Sequence, residues 1–326
     1  MTKRIVIAPG DGIGQEVTPV AAQALEILHP DWTYIPVVLG YECYQKTGNP
    51  LSDNVLQIMK ESDAILFGAI TTPPSKDYES ILLRIRKELN LYANIRPIQA
   101  PGIDITIVRE NTEGLYSGIE WREKDRACTV RVVSEAGTRR IIRHAVELAK
   151  RRRGHLTIGT KANVLASDAY FYEIALDEIS KTEPIVHTMK YIDALVLDVI
   201  QHPTQYDVIV TTNMFGDILS DAAAYLCGGL GMLPSANIGS SHHSLFEPVH
   251  GSAPDIAGTN RANPVAAIRS AALLMQHLGD SQGAVYLETA IQNTWKAGLK
   301  TQDLGGNAST TEFSNEFLNQ LSVFVQ

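Results

Sequence analysis

The sequence predicts an α/β protein with a largely parallel sheet, and three observations carry that reading. Short β-rich runs alternate with stretches of helical periodicity, the pattern that builds parallel strands joined by crossover helices. At 326 residues the chain exceeds the usual size of one core, so two lobes are expected, at about 100–200 residues per domain. Apolar residues make up 44% and charged residues 20% of the chain, an ordinary globular mixture that excludes disordered and collagen-like readings.

Taken in order, residues 5–8 read as a strand and 16–28 as a helix. Residues 53–59 place apolar side chains at helical spacing behind Asp53, which is read as the cap. Residues 64–67 form the next strand and 81–89 the next helix, then 105–109 a strand. Over 138–149 the spacing of Ile141, Ile142, Ala145 and Leu148 makes a core-facing helical stripe. Lys150, Arg151, Arg152 and Arg153 follow in its last turn, where cations suit the dipole, and Gly154 reads as the stop. Strands at 156–160 and 208–211 come next, the second leading into a helix at 215–226. The last third reads as helices at 265–278, 284–297 and 313–325. No repeat or low-complexity segment interrupts the pattern.

A net charge of −8 argues against a nucleic-acid surface, which ordinarily shows a basic face. Cys43, Cys128 and Cys227 are odd in number and form no Cys-x-x-Cys pair, so neither a disulfide framework nor a zinc site is expected. A start without a signal-peptide segment and the lack of a membrane-length apolar run place the protein in the cytoplasm, away from membranes.

Several constellations point to chemistry. Asp217 and Asp221 lie four apart in a helical stretch, which puts both carboxylates on one face about 5–6 Å apart. With Asp193 and the arginines Arg86, Arg96 and Arg109 they suggest a hard divalent cation, Mg²⁺ or Mn²⁺, and a small polyanionic substrate. Read alone, either aspartate is as readily a helix cap or a solvent-facing charge. The three guanidiniums together would make a bidentate carboxylate-reading set. Gly10-Asp11-Gly12-Ile13-Gly14 follows a strand and opens a helix, but its spacing departs from the dinucleotide fingerprint, so alone it reads as a tight turn. The stretch 247–258 packs Glu247, His250, Gly251, Ser252, Ala253, Asp255 and Ile256 into one loop. Its small residues permit close backbone approach, and Asp255 can accept bonds from ribose hydroxyls. His250 alone is more often a structural histidine. Lys161, at a strand end before Asn163, is usually solvated there, but partial burial can make such a lysine a general base.

These residues carry a resemblance that runs over essentially the whole chain. Residues 10–14, 91–97, 108–116, 161–164, 208–221, 234–239 and 246–264 are similar to the matching stretches of the β-decarboxylating dehydrogenases, the family of isopropylmalate, isocitrate, homoisocitrate and tartrate dehydrogenases. The resemblance implies the isocitrate/isopropylmalate dehydrogenase-like fold, two lobes with parallel or mixed sheets flanked by helices. It implies a discontinuous larger lobe, residues 1–91 and 230–326, holding NAD, and a smaller lobe, 92–229, holding the dimer interface and metal ligands. A homodimer with active sites built from both subunits is expected.

By resemblance, Arg86, Arg96, Arg109, Ser80 and Asn163 bind substrate. Asp217, Asp221 and Asp193 of the partner subunit hold Mg²⁺ or Mn²⁺. Lys161 of the partner subunit is the base and Tyr116 the acid. Ile13, Thr71, Glu247, His250, Gly251, Ser252, Ala253, Asp255, Ile256 and Asn263 line the cofactor site, and the acid Asp255 implies NAD rather than NADP. The helix Glu79-Ser80-Ile81-Leu82-Leu83-Arg84-Ile85-Arg86 reads the distal group of the substrate. Isocitrate enzymes carry Ser-x-Asn before the arginine, whereas this chain keeps Ser80 and puts Leu82 where asparagine belongs. Leu82 and Leu83 match the apolar pair that isopropylmalate enzymes press against an isopropyl group, so the resemblance is closest to that branch. Homoisocitrate is the alternative, with Arg84 available to serve it, and isocitrate oxidised with NAD ranks behind it. A non-catalytic regulatory subunit would lose a base, acid or metal ligand, and none is missing. The chain departs from the family at Thr160, where a histidine is common, and at Asp198, where a neutral residue is usual.

Overall fold

A computed structural model describes residues 2–74, 78, 80–240 and 243–325, and the chain divides into two compact units. One comprises Met1–Ile85, Gly228–Ala236 and Ser241–Gln326, the other Arg86–Cys227 and Asn237–Ser240.

The first unit begins with β1 (Arg4–Gly10), α1 (Gly14–Leu28), β2 (Thr33–Pro36), α2 (Tyr41–Thr47), α3 (Asp53–Lys60), β3 (Ala64–Ala69) and α4 (Ile81–Glu88), whose last turn passes into the second unit. β1 pairs in parallel with β2 and β3, so Val6 faces Ile35 on one side and Ile65 on the other. Every residue of β3 is buried, as expected of a parallel strand covered on both faces. The cap of α3 is Ser52, whose hydroxyl accepts the N–H of Val55 at 3.3 Å. Asp53, expected as the cap, instead occupies the first turn, where its charge favours the helix dipole.

The turn between β1 and α1 is glycine-rich for steric reasons. Gly10 has φ +75°, and a Cβ there would stand 1.9 Å from the carbonyl oxygen of Ala69; one on Gly12, at φ +57°, would stand 2.2 Å from that of Ser252. Between them Asp11 is buried and accepts the backbone N–H groups of Tyr41 (2.8 Å), Glu42 (2.9 Å) and Thr71 (2.9 Å). One carboxylate thus anchors the start of α2 and the segment after β3.

The second unit contains β4 (Ala93–Ala100), β5 (Ile103–Glu110), β6 (Glu120–Arg122), β7 (Ala127–Thr129), α5 (Glu135–Lys150), β8 (His155–Thr160), α6 (Ala166–Ser180), β9 (Val186–Tyr191), α7 (Ile192–Gln201), β10 (Val208–Thr211) and α8 (Asn213–Ala223). Its strands run in the order β4, β5, β10, β8, β9. β4 is antiparallel to β5 and the rest are parallel, so the arrangement is mixed. Ile141, Ile142, Ala145, Val146 and Ala149 of α5 form a core with Leu156, Ile158, Phe171, Val208 and Val210, while Leu148 packs at its edge. The basic run after α5 is structural: Arg152 Nε and the backbone N–H of Arg153 both donate to buried Asp207, at 2.8 and 2.9 Å.

The chain then passes through β11 (Pro234–Ile238) and, back in the first unit, β12 (Leu245–Pro248), α9 (Val265–His277), α10 (Ser281–Lys296) and α11 (Thr310–Ser322). β12 runs parallel to β3, with Phe246 opposite Leu66. A reciprocal capping box of Ser309 and Glu312 opens α11. Among the described residues no helix is long and apolar enough to cross a membrane.

Candidate active site

The second unit gathers the arginines and aspartates through strand register. Asn94 of β4 lies directly opposite Arg109 of β5, and Arg96 follows two residues later on the same face. Thr211, the last residue of β10, is also in register with Arg109, so α8 starts beside it. Gly216 of α8 is required by that packing, because a Cβ there would fall 2.7 Å from Arg109 Cγ.

The guanidiniums are buried and held in fixed orientations. Arg96 Nε donates to Asn94 Oδ1 at 2.7 Å and Nη1 to Ser220 Oγ at 2.6 Å. Arg109 donates to Asn213 Oδ1 through Nε (3.1 Å) and Nη2 (2.7 Å). Asn94 and Asn111 both donate to Asn237 Oδ1, at 2.9 and 2.8 Å. None of these asparagines was singled out from the sequence. For Asn94 a signal existed, since it alternates with Arg96 on one strand.

Asp217 and Asp221 share a face of α8, and Arg96 spans them: Nη2 lies 3.1 Å from Asp217 Oδ1 and Nη1 3.1 Å from Asp221 Oδ1. Arg109 also pairs with Asp217. Burial first, then the neighbouring Arg96 and Arg86, pull the Arg109 guanidinium down to about 9. That mutual repulsion is what a polyanion would relieve. Burial pushes the Asp221 carboxyl up, with Asp217 adding to the effect. The Tyr116 hydroxyl donates to Asp217 Oδ2 at 3.5 Å, and the Arg109 guanidinium lies 5.9 Å from the Tyr116 ring centroid. Burial and Asp217 push the phenol up, so it keeps its proton.

Lys161 and Asp193 form a separate pair. Lys161 follows β8 and Asp193 lies in the first turn of α7; Nζ stands 2.6 Å from Asp193 Oδ1 and 5.8 Å from the Tyr191 ring centroid. That hydrogen bond holds the Asp193 carboxyl below the usual range. Asn163 is exposed in the turn before α6. Among the described residues, no three His, Cys, Asp or Glu side chains of one chain group to hold a metal. Asp217 and Asp221 offer oxygen donors alone, the chemistry that Mg²⁺ and Mn²⁺ prefer.

Asp198, noted as a departure, sits in a local cluster. It pairs with Lys190 and Tyr206 and lies 2.7 Å from His202 Nδ1. Thr160 is fully buried at the end of β8.

In the first unit three of the expected cofactor residues, Ile13, Thr71 and Ser252, meet at the glycine turn. Ile13 N–H donates to the Ser252 carbonyl at 2.9 Å, and the Thr71 and Ser252 hydroxyls lie 2.7 Å apart. His250 Nδ1 lies 2.9 Å from the Gly251 carbonyl oxygen, while Nε2 is buried with no hydrogen-bond partner among the described residues. Burial holds this imidazole below its ordinary range. A buried orphan nitrogen beside a backbone with a positive φ at Ala253 fits a site shaped for a polar ligand. Glu247 is buried, Gly251 and Asp255 are exposed, and Ile256 is half-buried. Asn263 serves internally: its amide donates to Asp303 Oδ2 at 2.9 Å and its oxygen accepts the N–H of Val265 at 3.0 Å.

On α4, Ile81 and Ile85 are buried while Leu82 and Leu83 are half-exposed. Arg84 turns to α3, its Nη2 2.7 Å from Asp53 Oδ1 and its Nη1 3.2 Å from the Leu51 carbonyl oxygen. Ser80 immediately precedes α4; Glu79 lies outside the described residues.

The comparisons with known proteins agree with this picture. The 3-isopropylmalate dehydrogenase of Archaeoglobus fulgidus is 44% identical over 329 residues, covering 98% of this chain and 99% of that protein. The homoisocitrate dehydrogenase of Methanocaldococcus jannaschii is 43% identical over 341 residues, covering 98% and 97%. The crystal structure of isocitrate dehydrogenase from Methylococcus capsulatus superposes with a TM-score of 0.94 at 36% identity, covering 99% of this chain and 100% of that one. The family model described as isocitrate/isopropylmalate dehydrogenase matches residues 4–317, and the chain belongs to that family of β-decarboxylating dehydrogenases.

Proposed function

We propose that the protein is a cytoplasmic homodimer that oxidatively decarboxylates 3-isopropylmalate to 4-methyl-2-oxopentanoate, the acid from which leucine is made, with NAD⁺ as oxidant and Mg²⁺ or Mn²⁺ as metal. The observation that carries the substrate assignment is the apolar, half-exposed pair Leu82 and Leu83, with Arg84 already engaged by Asp53 and the Leu51 carbonyl. A leucine at position 82 cannot satisfy a distal carboxylate. The similarity to a 3-isopropylmalate dehydrogenase supports the same reading. Homoisocitrate is the second reading, because a relative of that name is nearly as similar.

In this mechanism Arg86, Arg96 and Arg109 bind the substrate carboxylates, and the polyanion relieves the repulsion among them. Ser80 and Asn163 complete the substrate contacts. Asp217 and Asp221, with Asp193 of the partner subunit, would hold the cation, which when bound would supply a Lewis acid. Lys161 of the partner subunit takes the hydroxyl proton. Ile13, Thr71, Glu247, His250, Gly251, Ser252, Ala253, Asp255, Ile256 and Asn263 would hold the dinucleotide, which when bound would supply the hydride acceptor. The exposed Asp255 carboxylate repels a 2′-phosphate, which favours NAD over NADP. Loss of CO₂ leaves an enolate, and the Tyr116 phenol gives its proton to the carbon that carried the carboxylate.

The test is a parallel assay of the purified enzyme with NAD⁺ and Mn²⁺ on 3-isopropylmalate, homoisocitrate and isocitrate, repeated with NADP⁺ and with Lys161→Ala. The expected ranking puts 3-isopropylmalate and NAD⁺ first and leaves Lys161→Ala inactive. A higher kcat/KM for isocitrate would overturn the role of Leu82, and full activity of Lys161→Ala would overturn the base.

A further inference from the structure

Arg131 and Asp168 have no part in the chemistry above, yet they join the two segments on which it depends. Asp168 stands in the first turn of α6 with its side chain fully buried. Both of its oxygens are engaged: Oδ2 accepts the backbone N–H of Lys161 at 2.8 Å, and Oδ1 accepts Arg131 Nη2 at 2.5 Å. The same Nη2 donates to Thr212 Oγ1 at 2.7 Å, and the Arg131 guanidinium carbon lies 4.4 Å from the Phe215 ring centroid. Thr212 is the N-cap of α8, a position where a threonine hydroxyl ordinarily accepts an N–H of the first turn. Here it makes no such bond and meets Arg131 instead. Phe215 belongs to that first turn. A continuous set of directional contacts therefore runs from the Lys161 backbone to the start of the helix bearing Asp217 and Asp221.

Stability does not explain the pair. Desolvating two charges offsets much of their attraction, and well-packed apolar residues would hold α6 to α8 at least as well. What apolar packing does not supply is fixed hydrogen-bond direction, which a planar guanidinium does.

We propose that Arg131 and Asp168 are positioning residues that hold the Lys161 turn at a set spacing from the N-terminus of α8. The proposal rests on the reading of Lys161 as base and of Asp217 and Asp221 as metal ligands. In a dimer whose sites are shared, the pair then fixes the base offered to one site relative to the aspartates of the other.

The experiment uses the full-length dimer with 3-isopropylmalate, NAD⁺ and Mn²⁺, together with amide hydrogen exchange measured without substrate. For Asp168→Asn and Arg131→Met, kcat falls about tenfold or more, the scale of a small misplacement of reacting groups. KM for the acid changes less than kcat, because Arg96 is held by Asn94 and Ser220, which lie outside both linked segments. Exchange quickens at residues 160–165 and 212–216 together. Arg131→Lys keeps the charge and recovers part of the loss seen in Arg131→Met. Thr212→Val, which removes one hydroxyl, quickens exchange at 212–216 and lowers kcat a few-fold. Wild-type kcat in Asp168→Asn and Arg131→Met would overturn the proposal, as would a uniform rise in exchange across the second unit with kcat and KM worsening in proportion. If Asp168→Asn does not fold, Thr212→Val decides: unaltered exchange and kcat refute the linkage. A wild-type enzyme inactive on every acid would overturn the proposed function instead, while the two exchange patterns would still decide whether the segments are linked.

Discussion

Replacing Leu82 with asparagine gives the substrate assignment a quantitative test. The isopropyl group offers three carbons, each worth about 0.8 kcal/mol when fully removed from water, a ceiling of roughly 2.4 kcal/mol. Leu82 and Leu83 are adjacent, partly exposed residues of α4; taken together to cover about half of that group, the pair contributes roughly 1 kcal/mol. Losing Leu82 alone, about half of that share, should then cost about twofold in kcat/KM for 3-isopropylmalate, since about 1.4 kcal/mol is tenfold. For isocitrate the new amide can donate to the distal carboxylate, a charge-assisted bond worth about 1.5–3 kcal/mol, or roughly tenfold or more in kcat/KM. The ratio of the two specificity constants should therefore move by about twentyfold or more toward isocitrate. Initial rates of NADH formation with both acids, for both proteins, give that ratio directly. A ratio that stays within twofold of wild type would refute the reasoning, because position 82 would then not face the distal group.

Three other outcomes follow from the geometry. Asp217→Asn removes the counter-charge shared by Arg96 and Arg109; Mn²⁺-dependent turnover should vanish, and urea unfolding should show a loss of about 1–3 kcal/mol, discounted because the side chain is 33% exposed. Asn213→Ala strands two N–H groups of an Arg109 side chain that is 2% exposed; a cost of about 2–4 kcal/mol is expected, and an unchanged urea midpoint would show that another acceptor replaces the amide. At Glu178, hydrogen bonds from Arg143 and Arg139 hold the carboxyl below its ordinary value. A folded pKa below the unfolded one means that stabilisation is present above the unfolded value, about 4.3, and is lost as pH falls through the folded one. Glu178→Gln should therefore melt below wild type at pH 7, with the gap closing toward pH 3; a gap independent of pH would exclude ionisation as its source.

The sequence made the strand–helix alternation legible because buried parallel strands such as β3 read as unbroken apolar runs. Elements without such a signature escaped. α2 has no buried residue and so shows no apolar stripe, and β9, an end strand with mostly exposed residues, shows no clear alternation. Within the site, the separation of Asp217 and Asp221 by one helical turn was visible, because local geometry alone puts them on one face. The contact between Lys161 and Asp193 depends on how α7 begins after β9, which no local spacing encodes. The braces Asn94, Asn213 and Ser220 were missed for a related reason: an asparagine or serine declares a role only when its partner across the strands or along the helix is known. The cap at Ser52 was misplaced by one residue because Ser52 and Asp53 are both good capping types.

Asp11 bears on any attempt to re-engineer cofactor choice. It is not among the residues proposed to meet the dinucleotide, yet its carboxylate ties down Thr71, and the Thr71 hydroxyl in turn meets Ser252. Libraries that vary positions 255 and 256 change lettering on a loop whose foundations lie elsewhere. A selection that also randomised position 11 would fill with collapsed clones and would misreport how tolerant the recognition surface is.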